Sequence, residues 1–287
     1  MSKNEIILFS ESFGDINNPA IILNAGAGNQ AITWHESFCN KLAAKGYFVV
    51  RYDYRDAGLS PKIDYDKEPY DVLDLAHDAV NLLKKYDIKK AHFVGFSMGG
   101  QINQFIAAYL PEYAKSIILL GTSTDFRPGF DAFDGIESKS HLNQPHKYYV
   151  EWATQQADKQ SLDEKVDNYI ETWRLLDGSQ ENFDKQFYRD EAMLFYTRTD
   201  KHNSYASHAK AMRASFDLHD KAPELIKIPT LIIQGEKDPV FPGHGEEMAK
   251  RIKNSKLIVW DDFAHAISPQ NFDRIVEEID KFIKEQK

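Results

Sequence analysis

The sequence predicts an α/β protein: a mostly parallel central sheet flanked by helices, with an inserted helical cap. Three observations predict it. Short apolar runs rich in β-branched or aromatic residues recur along the chain, amphipathic helical patterns lie between several of them, and the alternation breaks from about Asp125 to Pro223. Alternation of strand and helix implies parallel strands covered on both faces.

The runs Ile6–Ser10, Ala20–Leu23, Phe48–Tyr52, His92–Gly95, Ser116–Leu120, Thr230–Gln234 and Leu257–Trp260 read as buried strands. Between them, Tyr70–Tyr86 sets Val72, Leu75, Ala76, Ala79, Val80, Leu82 and Leu83 on roughly one helical face. Gln101–Leu110 reads as a helix stopped by Pro111, and Glu246–Ile252 and Ile275–Ile283 as further helices. In the break, Ser161–Leu176 and Ser204–Leu218 are helical patterns without a convincing strand beside them. The expected organisation is therefore a core of residues 1–124 and 224–287, interrupted by a helical cap of residues 125–223. The cap carries many large aromatic side chains. Most are expected in its own core and its seam with the sheet, with some facing a pocket, for which Trp152 and Trp173 are the candidates.

At 287 residues about three quarters of the unfolded surface can be buried. A net charge of −9 and a pI near 5.6 argue against general affinity for nucleic acid or anionic lipid. Cys39 is the single cysteine, which excludes an internal disulfide and a multi-cysteine zinc site. The N-terminal residues are too polar for a signal peptide and no run approaches a membrane span, so the expected address is cytoplasmic. A monomer and a homodimer are equally compatible with this composition.

The run His92–Gly95 leads directly into Gly95-Phe96-Ser97-Met98-Gly99-Gly100, and a helix follows. This is a G-x-S-x-G nucleophile elbow in its strand-turn-helix setting. The turn is so tight that the flanking positions tolerate little beyond glycine, and Ser97 is presented at the carboxyl end of the sheet. A serine hydroxyl needs a base within reach, normally a neutral imidazole. Of the ten histidines, His265 stands in the loop after the last strand and therefore at the same edge. His244, in Pro-Gly-His-Gly before a helix, is a rival better suited to a structural place. Asp238 follows Thr230–Gln234 in the turn Gly235-Glu236-Lys237-Asp238-Pro239 and is placed to orient the imidazole, with Glu236 and Asp125 as alternatives. The order Ser97, Asp238, His265 is that of α/β-hydrolases.

Acyl transfer creates an oxyanion that two converging backbone N–H groups commonly stabilise. One should be Met98, next after the nucleophile. The other should come from the loop Asn24-Ala25-Gly26-Ala27-Gly28-Asn29, with Ala27 chosen first and Gly26 next; Gly26 and Gly28 let substrate approach the backbone closely. No phosphate-loop lysine follows these glycines.

Taken together, the chain resembles the α/β-hydrolase superfamily, and within it the capped methylesterases related to aclacinomycin methylesterase. The resemblance rests on Gly26-Ala27-Gly28 through Trp34, on Arg51 through Ser60, on Gly95 through Gly99, on Trp173-Arg174, and on Asp238-Pro239 with His244-Gly245. Here Asn24-Ala25 precedes Gly26 where many relatives have His-Gly, and Asp56 follows Arg55 where many have glycine. The charged cluster Asp53, Arg55 and Asp56 is expected to form a structural ion-pair network. The resemblance implies hydrolysis of small to medium apolar or aromatic carboxylic esters, methyl esters among them, without metal or organic cofactor. Other serine chemistry on the same frame is the alternative: amide or carbon–carbon hydrolysis, acyl transfer, or cofactor-free perhydrolysis. From another class, the fold could serve as a ligand-binding receptor.

Overall fold

The computed structural model describes residues 6–155, 161–178, 183–200 and 204–286. Seven strands form one sheet: β1 (Ser10–Phe13), β2 (Ala20–Asn24), β3 (Phe48–Tyr52), β4 (Ala91–Phe96), β5 (Ala114–Leu120), β6 (Thr230–Gly235) and β7 (Ser255–Trp260). Their spatial order is β1-β3-β2-β4-β5-β6-β7. β1 pairs antiparallel with β3, and every other neighbouring pair is parallel. β2, β3, β4 and β6 are buried at every position, as strands covered on both faces must be. Their short, mainly apolar runs make them readable from sequence.

Helices α1 (Glu36–Ala44), α2 (Val72–Lys85) and α3 (Met98–Tyr109) fill the connections in the first half. Between β5 and β6 the chain is helical, with α4 (Arg127–Phe133), α5 (Lys147–Thr154), α6 (Leu162–Asp177), α7 (Lys185–Thr197), α8 (Ser204–Ala214), α9 (Phe216–His219) and α10 (Ala222–Leu225). α11 (His244–Arg251) and α12 (Pro269–Lys284) complete the fold. α1 packs on α12, while α2, α3, α10 and α11 form a second contiguous layer. Capping boxes start α2, through Asp71 and Asp74, and α6, through Ser161 and Glu164. Among the described residues, no helix is long and apolar enough to cross a membrane.

Most boundaries shift by one or two residues from the sequence reading, and three larger differences have a visible cause. The first strand begins at Ser10 rather than Ile6, because Phe9 commits its N–H to Ser60 Oγ (3.0 Å) and its carbonyl to the Asp53 N–H (3.0 Å). The pattern Ser204–Leu218 is two helices. Ser215, at their junction, donates its hydroxyl to Ala211 O and accepts from the Val72 N–H, drawing the break against α2. The last helix starts six residues earlier than Ile275, with Pro269 in its first turn, where the missing N–H costs nothing.

The order of the sheet reverses at β2. From β2 the chain passes to β3 on one side and later to β4 on the other, so the loops leaving β2 and β4 diverge and open a crevice at their carboxyl ends. Asn24, the last residue of β2, lies beside Gly95 of β4.

Candidate active site

Ser97 stands between the end of β4 and the start of α3 with φ 55° and ψ −118°. A non-glycine residue held there stores about 1–3 kcal/mol of strain. The strain is imposed by close packing. A side chain at Gly95 would fall 2.2 Å from Gly99 O, and one at Gly99 would fall 2.0 Å from Asn24 O, so both elbow glycines are sterically required. The Ser97 N–H donates to Leu120 O (3.0 Å), and the Thr122 hydroxyl donates to Ser97 O (2.7 Å). Met98 follows as the first residue of α3, with its side chain buried.

His265 and Asp238 meet at the ends of β7 and β6. The His265 Nδ1–H donates to Asp238 Oδ2 at 2.9 Å. Asp238 is fully buried and accepts three further bonds: from Gln234 Nε2 on the same oxygen (2.8 Å), and from the Val240 and Phe241 N–H groups on Oδ1 (2.8 and 2.9 Å). With both oxygens engaged, the carboxylate is fixed in place and can hold the imidazole in the tautomer whose Nε2 lone pair is free. The imidazole packs against Phe96 and Phe241, with ring centroids 4.8 and 5.5 Å away. Its backbone N–H donates to Leu176 O at the end of α6 (2.7 Å).

Ser97 and His265 share the wall of one cavity of about 330 Å³, with Gly26, Ala27 and Gly28 beside them. The rest of the wall is mainly aromatic: Phe130 and Phe133 of α4, Tyr149 of α5, Tyr169 and Trp173 of α6, Phe195 and Tyr196 of α7 and Tyr205 of α8 contribute. Trp173 therefore lines the cavity, whereas Trp152 does not. The Trp152 indole N–H donates to Thr172 Oγ1 (3.2 Å), and it is Thr172 that reaches the wall.

The rivals lie elsewhere. Glu236 is exposed. Asp125 pairs with Arg127 (2.8 Å); although burial works against its charge, hydrogen bonds from Arg127 hold it below the usual carboxylate range. His244 is buried between Ser123 Oγ (2.7 Å) and Asn143 O (2.8 Å), a structural tie between two loops. The charged cluster after β3 is a network of buried pairs: Arg55 is bidentate on Asp78 (2.7 and 2.8 Å), Asp53 pairs with Arg198 (2.9 Å), and Asp56 accepts from Tyr70 OH (2.9 Å).

Several supporting residues escaped the sequence reading. Tyr52 OH donates to Asn24 Oδ1 (2.5 Å), Asn24 Nδ2 donates to Asn103 Oδ1 (2.6 Å), and Tyr54 OH donates to Ala25 O (2.8 Å); these three bonds anchor the start of the loop after β2. A polar residue at the end of an otherwise apolar run, as Asn24 is, was the available signal.

A reversing parallel sheet, a serine in a strained turn after its central strand, and a carboxylate-held histidine at the same edge together define an α/β-hydrolase. The comparisons agree: residues 19–272 match the model of the alpha/beta hydrolase fold family, and the chain belongs to that family. It is 31% identical over 282 residues to rhodomycin D methylesterase DauP of Streptomyces sp. (strain C5), and 30% identical over 282 residues to rhodomycin D methylesterase DnrP of Streptomyces peucetius. Each alignment covers 93% of this chain and 91% of the relative. Among solved structures, the enol-lactonase from Burkholderia xenovorans LB400 superposes with a TM-score of 0.75 over 98% of each chain, at 21% identity, a likeness of fold. Family and relatives support an enzyme that hydrolyses esters.

Proposed function

We propose that the protein is a serine carboxylesterase acting through an acyl-enzyme. Ser97 Oγ attacks the ester carbonyl while His265 Nε2 takes its proton, and Asp238 stabilises the resulting imidazolium. The negative charge moves to the carbonyl oxygen, where the Met98 and Ala27 N–H groups receive it. Collapse of this intermediate breaks the ester C–O bond, and the alcohol leaves with the proton from His265. Water, deprotonated by the same imidazole, then attacks the acyl-enzyme and releases the carboxylic acid and Ser97. The observation that carries this reading is His265, held by buried Asp238, on the wall of the cavity that Ser97 also lines.

Residues 125–223 act in this reading as a cap over a core of residues 1–124 and 224–287, because most of the cavity wall comes from them. A predominantly aromatic wall around about 330 Å³ favours small to medium apolar or aromatic esters. Methyl esters are the first class to assay, since the two curated relatives are methylesterases by name.

The test is hydrolysis of p-nitrophenyl butyrate and of aromatic methyl esters by the wild type and Ser97→Ala. The variant should keep its fold and lose roughly six orders of magnitude in kcat, and a fluorophosphonate should label the wild type stoichiometrically at Ser97 and leave the variant unlabelled. Undiminished turnover in Ser97→Ala would refute the assignment. A wild type that neither labels nor turns over would favour a receptor on the same frame.

A further inference from the structure

We propose that His208 is a positioning residue: from α8 it fixes the loop after β2 so that the Ala27 N–H is aimed at the carbonyl under attack by Ser97. The inference rests on the acyl-enzyme reading above and concerns how its second oxyanion donor is held.

The argument begins with the hydrogen bonds of a fully buried imidazole. The Gly28 N–H donates to His208 Nδ1 (3.0 Å), and His208 Nε2–H donates to the Arg55 carbonyl (3.2 Å). This pattern requires a neutral ring carrying its proton on Nε2. Burial pushes His208 down to about 4, which keeps the ring neutral and the Nδ1 lone pair available at neutral pH. Tyr54, whose hydroxyl holds Ala25 O, packs edge-on against the same imidazole at 5.6 Å. One turn earlier on α8, on the same face, Ser204 Oγ donates to the Gly28 carbonyl (3.2 Å). α8 therefore grips Gly28 on both its N–H and its C=O.

The grip has a chemical consequence. With its N–H committed to His208, Gly28 is not an oxyanion donor, and that task falls to the amides before it. The Gly28 N–H belongs to the rigid peptide plane that joins it to Ala27, so only φ and ψ of Ala27 separate it from the plane carrying the Ala27 N–H. Fixing one plane at Gly28 and the chain at Ala25 leaves the intervening amides little freedom. Among the described residues no protein acceptor meets the Ala27 N–H, and Ala27 lines the cavity beside Ser97. A second set of bonds holds the far end of the loop: Gln30 Nε2 donates to Phe195 O (3.1 Å), Arg198 donates to Gln30 Oε1 (3.0 Å), and Asp53 accepts from both Arg198 and the Ala31 N–H. Residues of the helical insertion thus set the geometry of a loop that belongs to the sheet.

Two variants of the full chain test this. His208→Phe keeps a planar ring of similar size against Tyr54 and removes both hydrogen bonds, whereas His208→Asn returns an acceptor near the Nδ1 position. Each is assayed for kcat and KM on p-nitrophenyl butyrate and for inhibition by a trifluoromethyl ketone, which binds serine hydrolases as a tetrahedral oxyanion adduct. The expected result for His208→Phe is a fall of about 30-fold in kcat with KM within about twofold, as misaimed oxyanion donors produce. The ketone should weaken in parallel, and His208→Asn should recover most of both losses. A His208→Phe enzyme with wild-type kcat would overturn the inference, as would a loss that appears in KM alone or that Asn does not rescue. If His208→Phe shows no cooperative melt, Ser204→Ala decides: roughly a threefold to tenfold loss in kcat at unchanged KM supports the inference, and unchanged kcat defeats it. Failure of the acyl-enzyme reading shows separately, as turnover that survives Ser97→Ala.

Discussion

Asp238 shows how much a single side chain is asked to do. Its four accepted hydrogen bonds leave the carboxylate no other orientation, and one of them selects the His265 tautomer with a free Nε2. Asp238→Asn would nearly preserve the shape but place an amide N–H or a neutral oxygen against Nδ1, favouring the wrong tautomer. A fall in kcat of about three to four powers of ten is expected, measured on p-nitrophenyl butyrate beside a melting curve that shows the fold intact. Gly99 poses the opposite case, where function depends on an atom being absent. Its Cβ would overlap the Asn24 carbonyl at 2.0 Å. Gly99→Ala should therefore cost about 3 kcal/mol or more in stability, read as a lower urea midpoint, and should reduce activity by displacing the loop that starts at Asn24. Of the residues at the site, those named by local pattern were legible: Ser97 between its glycines, Asp238 in a turn after a strand, and His265 in the last such loop. Trp152 was not, because which face of a helical pattern meets a cavity depends on packing among α5, α6 and their neighbours rather than on any local spacing.

At the level of elements, the sheet was more legible than the helices around it. β3 matches its predicted span because Phe48, Val49, Val50 and Tyr52 make it an apolar run, broken only by Arg51, that is buried at every position, while β1 is an edge strand whose start depends on Asp53 and Ser60, residues distant in sequence. α1 had no clear signal, being a short helix whose buried face is limited to Phe38, Cys39 and Leu42. The link between the turn after β3 and α2 is the bidentate pair Arg55–Asp78, with side chains 9% and 5% exposed. Its net worth is modest, because both charges were taken out of water to form it. Removing one partner leaves the other uncompensated, so Asp78→Ala should lower stability by about 3–5 kcal/mol, measured by urea denaturation.

For the molecule as a whole, three buried groups with large shifts on either side of neutrality shape how stability varies with pH. Burial pushes His208 down to about 4 and His219 down to about 3, and pushes Glu191 up to about 8. In the unfolded chain the histidines titrate near 6.5 and the glutamate near 4.5. As pH falls below 6.5 the unfolded chain takes up protons that the folded histidines refuse, so their contribution, fully present above 6.5, is lost. As pH rises from 4.5 to 8 the unfolded chain releases a proton that folded Glu191 keeps, so its contribution fades in the other direction. Below 6.5 the two histidines, with His35 and His244 lowered by burial in the same direction, outweigh one glutamate, and above 6.5 the glutamate dominates. The melting temperature should peak near pH 6.5 and fall by the equivalent of about 1 kcal/mol toward pH 5 and toward pH 8. Glu191→Gln should flatten the alkaline limb and steepen the acid limb, where the glutamate no longer offsets the histidines; scanning calorimetry of both proteins across that range checks both signs.

The bond from the His265 amide to the Leu176 carbonyl bears on any attempt to graft the α4–α10 segment from one relative onto another. A transplanted segment would bring its own carbonyl to that spot and thereby reset the pose of the imidazole. On the acyl-enzyme reading, chimaeras should accordingly differ in turnover number even on substrates too small to touch the exchanged helices, which would couple selectivity to speed on this scaffold.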